Sequence, residues 1–202
     1  MSKKAKKIAV ILLTFATLMS LASCASPYTD DEAREILAGV LDSDIVLAEI
    51  LWGKGLETEQ DPGDHTEDST FYYMEVSPDS RFTSLDELKA AARETYSKKL
   101  YEIIESSAFG REDRSENEIV PRYAETDEGF LQIDVTNEGL ELHGVAYIGE
   151  SKIVRASKKS IKMDIKVSLD GGESFKDQRV VLVKQDGVWK LDTQLWCIGY
   201  ER

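Results

Sequence analysis

The chain has 202 residues and a formal net charge of −13, with only two cysteines and two histidines. This negative charge argues against binding to nucleic acid or to anionic lipid headgroups, because both carry the same sign. The few cysteines and histidines lie far apart and show no ligand spacing, which argues against a disulfide framework and a metal site. The length of the chain fits a single domain, and we expect no metal and no cofactor.

The N-terminal segment has the pattern of a bacterial secretory signal. Four lysines precede residue 8, and an uncharged apolar run extends from Ile8 to Leu21. This run is shorter than the roughly 20 residues of a membrane-spanning helix. It ends in Leu21-Ala22-Ser23-Cys24, which resembles the lipobox of bacterial lipoproteins.

The lipobox resemblance implies cleavage before Cys24 and attachment of diacylglycerol to its thiol. We expect residues 1–23 to be a lipoprotein signal peptide, 24–28 a lipidated tether and 29–202 one domain. Each buried methylene contributes about 0.8 kcal/mol, so two or more acyl chains hold a protein stably on a membrane. The mature chain is then expected on the extracytoplasmic face of the bacterial plasma membrane. An ordinary cleaved signal and an uncleaved N-terminal anchor are the alternatives.

The first predicted element of the domain is helical and extends from Thr29 to Trp52. Thr29 and Glu32 have the spacing of a capping box. Apolar residues recur at helical spacing before and after residues 42–44, where Asp-Ser-Asp interrupts the pattern. This interruption predicts a long kinked helix or a pair of helices covering one side of a sheet.

The most polar stretch follows at residues 56–69. Its acids do not have the alternate-residue spacing of an EF-hand, so the pattern favours an exposed flexible loop over a calcium site. Such a loop is the best candidate for contact with a basic partner. The candidate contact residues are Glu57, Glu59, Asp61 and Asp64.

One strand and two helices are predicted next. The aromatic, alternating residues 71–76 are typical of a strand. Ser84 and Glu87 have the spacing of a second capping box, and Ser97 is the expected cap of a further helix.

The remainder of the chain predicts strands joined in hairpins. The clearest is 161–169, in which apolar and polar residues alternate, as in a sheet with one solvated face. Gly129 and the pair Asp186-Gly187 mark the expected turns of two hairpins. This order of elements predicts an α+β fold with N-terminal helices packed on a curved antiparallel sheet.

The order and size of these elements resemble the cystatin-like and nuclear-transport-factor-like cone folds. Such folds place a concave pocket between sheet and helices. They host isomerases, dehydratases, ligand carriers and pure interaction modules, so the fold by itself does not define a function.

Three segments carry a more specific resemblance, and together they extend over roughly Thr70 to Asp192. They read FYYMEVSPDSRFTSLDELKAAARETYSKKLYEIIESSAF, PRYAETDEGFLQI and LVKQDGVWKLD. These segments resemble the IseA-type inhibitors of D,L-endopeptidases, which are secreted or lipid-anchored Gram-positive proteins. The resemblance implies a cystatin-like body whose loops block the active-site cleft of a cell-wall autolysin. No inhibitory motif of that family matches residue by residue, so none is transferred.

Two functions follow from these observations. The first is a membrane-anchored, non-catalytic and monomeric binding module that modulates or inhibits peptidoglycan hydrolases, and whose acidic surface steers a basic enzyme. The alternative is a small-ligand binder, or an isomerase- or dehydratase-type enzyme, using the cone pocket. The candidate pocket lining for this alternative is Tyr72, Tyr73, Arg122, Tyr123 and Trp189, with His143. Such an enzyme needs a buried carboxylate base opposed by hydrogen-bond donors, and the sequence marks no acid for that role.

Overall fold

The computed structural model describes residues 26–59, 73–109, 121–136, 151–168 and 173–195. The expected signal peptide and Cys24 lie outside the described residues, as do Asp61, Asp64, Tyr72 and His143. Among the residues described, no helix combines the length and the apolar character that crossing a membrane requires.

The first helix, α1, extends over Asp30–Leu51 without a break. Its capping box is present as predicted: the Glu32 amide donates to the Thr29 hydroxyl at 3.2 Å, and the Thr29 amide donates to the Glu32 carboxylate at 2.7 Å. The predicted interruption at residues 42–44 does not divide the helix. Asp44 falls on the same face as the apolar residues and is buried with them, so the helix continues through it.

Two shorter helices follow, α2 at Leu85–Thr95 and α3 at Lys98–Ile104, the latter continuing as a π-helical turn over Glu105–Phe109. Ser97 caps α3 as predicted, since its hydroxyl accepts a hydrogen bond from the Leu100 amide at 3.1 Å. Only half of the capping box predicted for α2 forms. Ser84 accepts from the Glu87 amide, but the Glu87 carboxylate accepts from the amide of Thr83, one residue earlier than expected.

The strands are divided between two antiparallel sheets, which together with the helices confirm the α+β class. The first sheet has the order β1-β3-β2, with β1 at Tyr73–Glu75, β2 at Tyr123–Glu125 and β3 at Leu131–Asp134. The second has four strands in sequence order, β4 at Lys152–Ser157, β5 at Ser160–Val167, β6 at Lys176–Gln185 and β7 at Val188–Leu191. The finer likeness to a cone fold stays a prediction.

The four-stranded sheet has one face in the core and one in solvent. On β5 the side chains of Ile161, Met163 and Ile165 are almost completely buried, and the polar residues between them point outward, as the alternation predicts. The inner face packs in one cluster with buried residues of all three helices, among them Leu37 and Leu88. Helix α1 therefore packs on the core-facing side of the four-stranded sheet.

The hairpin between β6 and β7 turns at the predicted residues. Asp186 has φ 51° and Gly187 has φ 85°, so both central residues lie in the left-handed region. A two-residue turn of this kind matches the twist of the flanking strands, and aspartate followed by glycine is a preferred pair for it.

Candidate binding surfaces

Tyr123, proposed from the sequence as a pocket residue, is instead a structural residue at the end of α1. Its hydroxyl donates to the carbonyl of Ile50 at 2.9 Å and accepts from the amide of Leu56 at 3.1 Å. Its side chain has no solvent exposure, and burial raises the pKa of the phenol to about 12. The hydroxyl thus satisfies two backbone groups that the helix end would otherwise leave buried and unpaired.

Arg122 and Tyr73 lie in the same region and also donate hydrogen bonds to backbone carbonyls. The Arg122 guanidinium donates to the carbonyl of Gly53, just beyond the last turn of α1. That last turn contains no basic residue, so the cation that complements the negative end of the helix comes from Arg122, the residue that precedes β2. The hydroxyl of Tyr73 donates to the carbonyl of Pro121. One guanidinium nitrogen of Arg122 and the hydroxyl of Tyr73 therefore bind backbone, while the Nε of Arg122 is buried without a hydrogen-bond partner among the described residues.

Trp189 lies apart from the other pocket candidates. Its ring packs edge to face against Tyr28, with ring centroids 5.7 Å apart, and the ammonium group of Lys184 lies 5.7 Å from its centroid. The structure thus brings Tyr73, Arg122 and Tyr123 together but places Trp189 on a different surface.

Trp189 lines a groove of about 380 Å³ between α1, α2 and the β6–β7 hairpin, which we call the tryptophan groove. Its apolar part includes Val46 and Phe82, and its acidic lining residue is Glu94, which is exposed. The volume lies within the range of small-molecule sites. The groove offers apolar contact area and exposed charges at its rim.

A second groove, of about 400 Å³, lies between the α2–α3 junction and the β6–β7 turn. Three of its charged side chains already make contacts within the groove. The Arg93 guanidinium lies 4.8 Å from the ring centroid of Tyr101 and 3.5 Å from a carboxylate oxygen of Glu105, and Lys190 donates to the carbonyl of Arg93. A ligand would have to displace these contacts in order to use the charges.

The most deeply buried acid in the helices is Asp44, which the sequence pattern did not mark as functional. It is 1% exposed and lies beside Tyr96, which is equally buried. Burial raises the pKa of the Tyr96 phenol, and the charge of Asp44 and a hydrogen bond with it raise that pKa further. The signal was present in the sequence, because Asp44 is four residues after Val40 and three before Leu47.

The candidate acidic segment is only partly described. Glu57 and Glu59 have exposed side chains, but their backbone is fixed to the three-stranded sheet. The Glu59 amide donates to the carbonyl of Glu75 at 3.0 Å, and the carbonyl of Glu57 accepts from the Ser77 amide at 2.8 Å. These first residues are exposed as predicted and pair beside the end of β1 through a bridge between Thr58 and Val76, while the flexibility of the loop stays a prediction.

No group of three or more histidine, cysteine or acidic residues within the described ranges has the geometry to hold a metal ion. A search against models of protein families finds no match, and neither does a comparison with curated proteins. The resemblance to the IseA-type inhibitors consequently stays a prediction.

Proposed function

We propose that this chain is a lipid-anchored, non-catalytic binding module on the extracytoplasmic face of a bacterial plasma membrane, where it modulates or inhibits a peptidoglycan hydrolase. The anchor is supported by the basic head, the apolar run and the lipobox that ends at Cys24. The partner class is supported by the resemblance to the IseA-type inhibitors. The described domain begins close to the proposed anchor, since α1 starts at Asp30.

The observation that carries the non-catalytic part is the use of the candidate pocket side chains to hold the fold. A ligand pocket needs polar groups that face the ligand. Instead, three of the candidate side chains bind backbone carbonyls. Tyr73 donates to Pro121, Tyr123 donates to Ile50, and Arg122 donates to Gly53. These residues stabilise the end of α1 and its junction with the three-stranded sheet.

The positions of the acids support the same conclusion. A general base of the isomerase kind is a buried carboxylate that reaches the substrate. Of the acids that line the two grooves, Glu94, Glu102 and Asp186 are exposed, and Glu105 is half-buried and accepts a hydrogen bond from the Tyr101 hydroxyl at 2.8 Å. The buried acids Asp44 and Asp134 have almost no solvent exposure. The carboxylate oxygens of Asp44 lie in the interior beside the Tyr96 hydroxyl, and the Asp134 carboxylate accepts from the amide of Thr136 at 3.0 Å.

A binding and inhibition assay tests the proposal. Residues 25–202, immobilised without the lipid, are used to capture proteins from a wall extract of the source organism, and captured hydrolases are then assayed on purified peptidoglycan. We expect capture of a D,L-endopeptidase and a dose-dependent loss of its activity. Because charge steers association, E57Q/E59Q should slow binding to a basic enzyme more at low salt than at high salt.

The matched control is D127N/E128Q, which removes two exposed acids from the β2–β3 turn and changes the net charge equally. This control should bind like the parent chain. If no wall endopeptidase is bound or inhibited, the proposed partner is wrong. Equal slowing by both variants would show that net charge acts and that the acidic segment has no specific part.

The alternative function, small-ligand binding, is favoured by the tryptophan groove, whose volume and mixed apolar and polar lining fit a small molecule. A thermal-shift screen of wall-derived muropeptides and apolar acids tests it. A ligand that raises Tm in the parent chain, but not in W189A, would support this alternative.

A further inference from the structure

The outer face of the four-stranded sheet is basic although the chain as a whole is strongly acidic. Residues 151–168 contain six basic residues and one acid, whereas the net charge of the chain is −13. The basic face, as we call it, is formed by β4, β5 and β6. Its members are Lys152, Arg155, Lys162, Lys166 and Arg179.

The strand register places these side chains on one surface. Lys152 and Arg179 both pair with Asp164, and Arg155 pairs with Lys162. Directly paired residues of antiparallel strands project on the same side of a sheet. Since the residues that alternate with them on β5 lie in the core, the basic side chains project away from it into solvent.

The acids on this face are already engaged. Arg179 binds Asp164 in a bidentate pair at 2.6 and 2.8 Å, and Lys166 binds Asp177 at 3.0 Å. Within the described residues, Lys152, Arg155 and Lys162 form no ion pair within 4 Å, although Arg179 first, and then the charges of Lys162 and Lys152, lower the pKa of the nearby Asp164 carboxyl. These three cations, together with Lys158 and Lys159 in the β4–β5 turn, give the face its excess of positive charge.

One edge of this face adjoins the start of α1, while Tyr28, closer to the proposed anchor, packs against Trp189 on the opposite side of the sheet. The Ile153 amide, on the edge strand β4, donates to the carboxylate of Asp30 at 2.8 Å, and the Arg34 guanidinium donates to the Ser151 hydroxyl at 3.1 Å. The start of α1 is thus fixed to the strand that carries Lys152. An extended tether spans at most about 3.5 Å per residue, so six residues from Cys24 keep this edge within about 20 Å of the lipid.

We propose that the basic face lies against the anionic phospholipid headgroups of the membrane that holds Cys24, and so fixes the orientation of the domain. This inference rests on the proposed lipid anchor. At physiological ionic strength charges are screened over about 8 Å, so the face acts locally even though the net charge of the chain is negative. Each basic residue near an anionic leaflet strengthens adsorption roughly fivefold, and the tether supplies the high effective concentration.

The experiment uses the full-length lipoprotein, purified from membranes and reconstituted into vesicles of phosphatidylcholine, with or without 30% phosphatidylglycerol. Exposed lysines are acetylated with a membrane-impermeant ester, and the extent at each lysine is measured by mass spectrometry. We expect labelling of Lys152, Lys158 and Lys162 to fall at least threefold in the anionic vesicles and to recover in 1 M salt. Lys54 and Lys99, which are outside the face, should label equally in both.

The triple variant K152Q/R155Q/K162Q should lose this protection at Lys158. The control K54Q/R81Q/K99Q also removes three exposed cations and should keep the protection. Unchanged labelling between the two vesicle types would overturn the proposal. So would protection by soluble polyphosphate in neutral vesicles without any effect of phosphatidylglycerol, which would assign the face to an anionic polymer.

Flotation of the vesicles separates failure of the face from failure of the anchor. Co-flotation with neutral vesicles but no lipid-dependent footprint would leave the anchor intact and contradict the basic face. If the chain does not float with neutral vesicles, the anchor is wrong. In that case the proposal for the basic face is supported only by two results together. The parent chain must float with anionic vesicles in a salt-sensitive manner, and the triple variant must not.

Discussion

The substitution Y123F tests whether this residue holds the end of α1. It removes only the hydroxyl oxygen and keeps the buried ring, so no large cavity forms. Two buried backbone groups lose their partner, the carbonyl of Ile50 and the amide of Leu56. Each buried group left unpaired costs about 1–3 kcal/mol, so two such groups lower the expected free energy of unfolding by about 2–6 kcal/mol.

Urea denaturation followed by far-UV circular dichroism measures this change, with the slope m checked for constancy. The matched control is Y28F, because Tyr28 contacts Trp189 through its ring and the ring is retained. This control should change stability by less than about 0.5 kcal/mol, as is usual for a surface substitution. A loss below that size in Y123F would refute the structural role assigned to its hydroxyl.

Three further predictions concern pH, backbone and charge. Burial raises the pKa of folded Tyr123 to about 12, whereas an unfolded tyrosine ionises near 10. Deprotonation therefore favours the unfolded state as the pH rises from about 10 to about 12, and over this range the parent chain should lose about 2–3 kcal/mol more stability than Y123F. Urea denaturation at a series of pH values measures the difference. G55A should destabilise by more than G129A in the same assay. Both glycines have positive φ, which costs about 1–2 kcal/mol for alanine, but only at Gly55 would a Cβ meet another side chain, at 2.3 Å. R179Q should raise the lowered pKa of Asp164 towards its ordinary value in a carboxyl NMR titration, and an unchanged pKa would contradict the assigned ion pair.

Features that depend on neighbours in the sequence were predictable. The capping box of Thr29 and Glu32 forms because both hydrogen bonds span three residues. The alternation on β5 identifies its buried face, since successive side chains of a strand point to opposite sides. The turn at Asp186-Gly187 follows from the conformations that these two residue types readily adopt.

Features that depend on distant contacts were not predictable from the pattern. Tyr123 and Ile50 are 73 positions apart in the chain, so nothing local distinguishes a structural tyrosine from one that lines a pocket. Asp44 reads as a helix break because it is polar, yet packing keeps it buried beside Tyr96 within an unbroken helix. The basic face was hidden by the net charge, which averages over all surfaces of the molecule.

The most direct test of the account is the mass of the N-terminal peptide of the membrane-associated protein. The account predicts that the chain begins at Cys24 and that its thiol carries diacylglycerol, with or without an additional acyl chain on the amine. A peptide that still contains Met1, or that carries an unmodified Cys24, would contradict it.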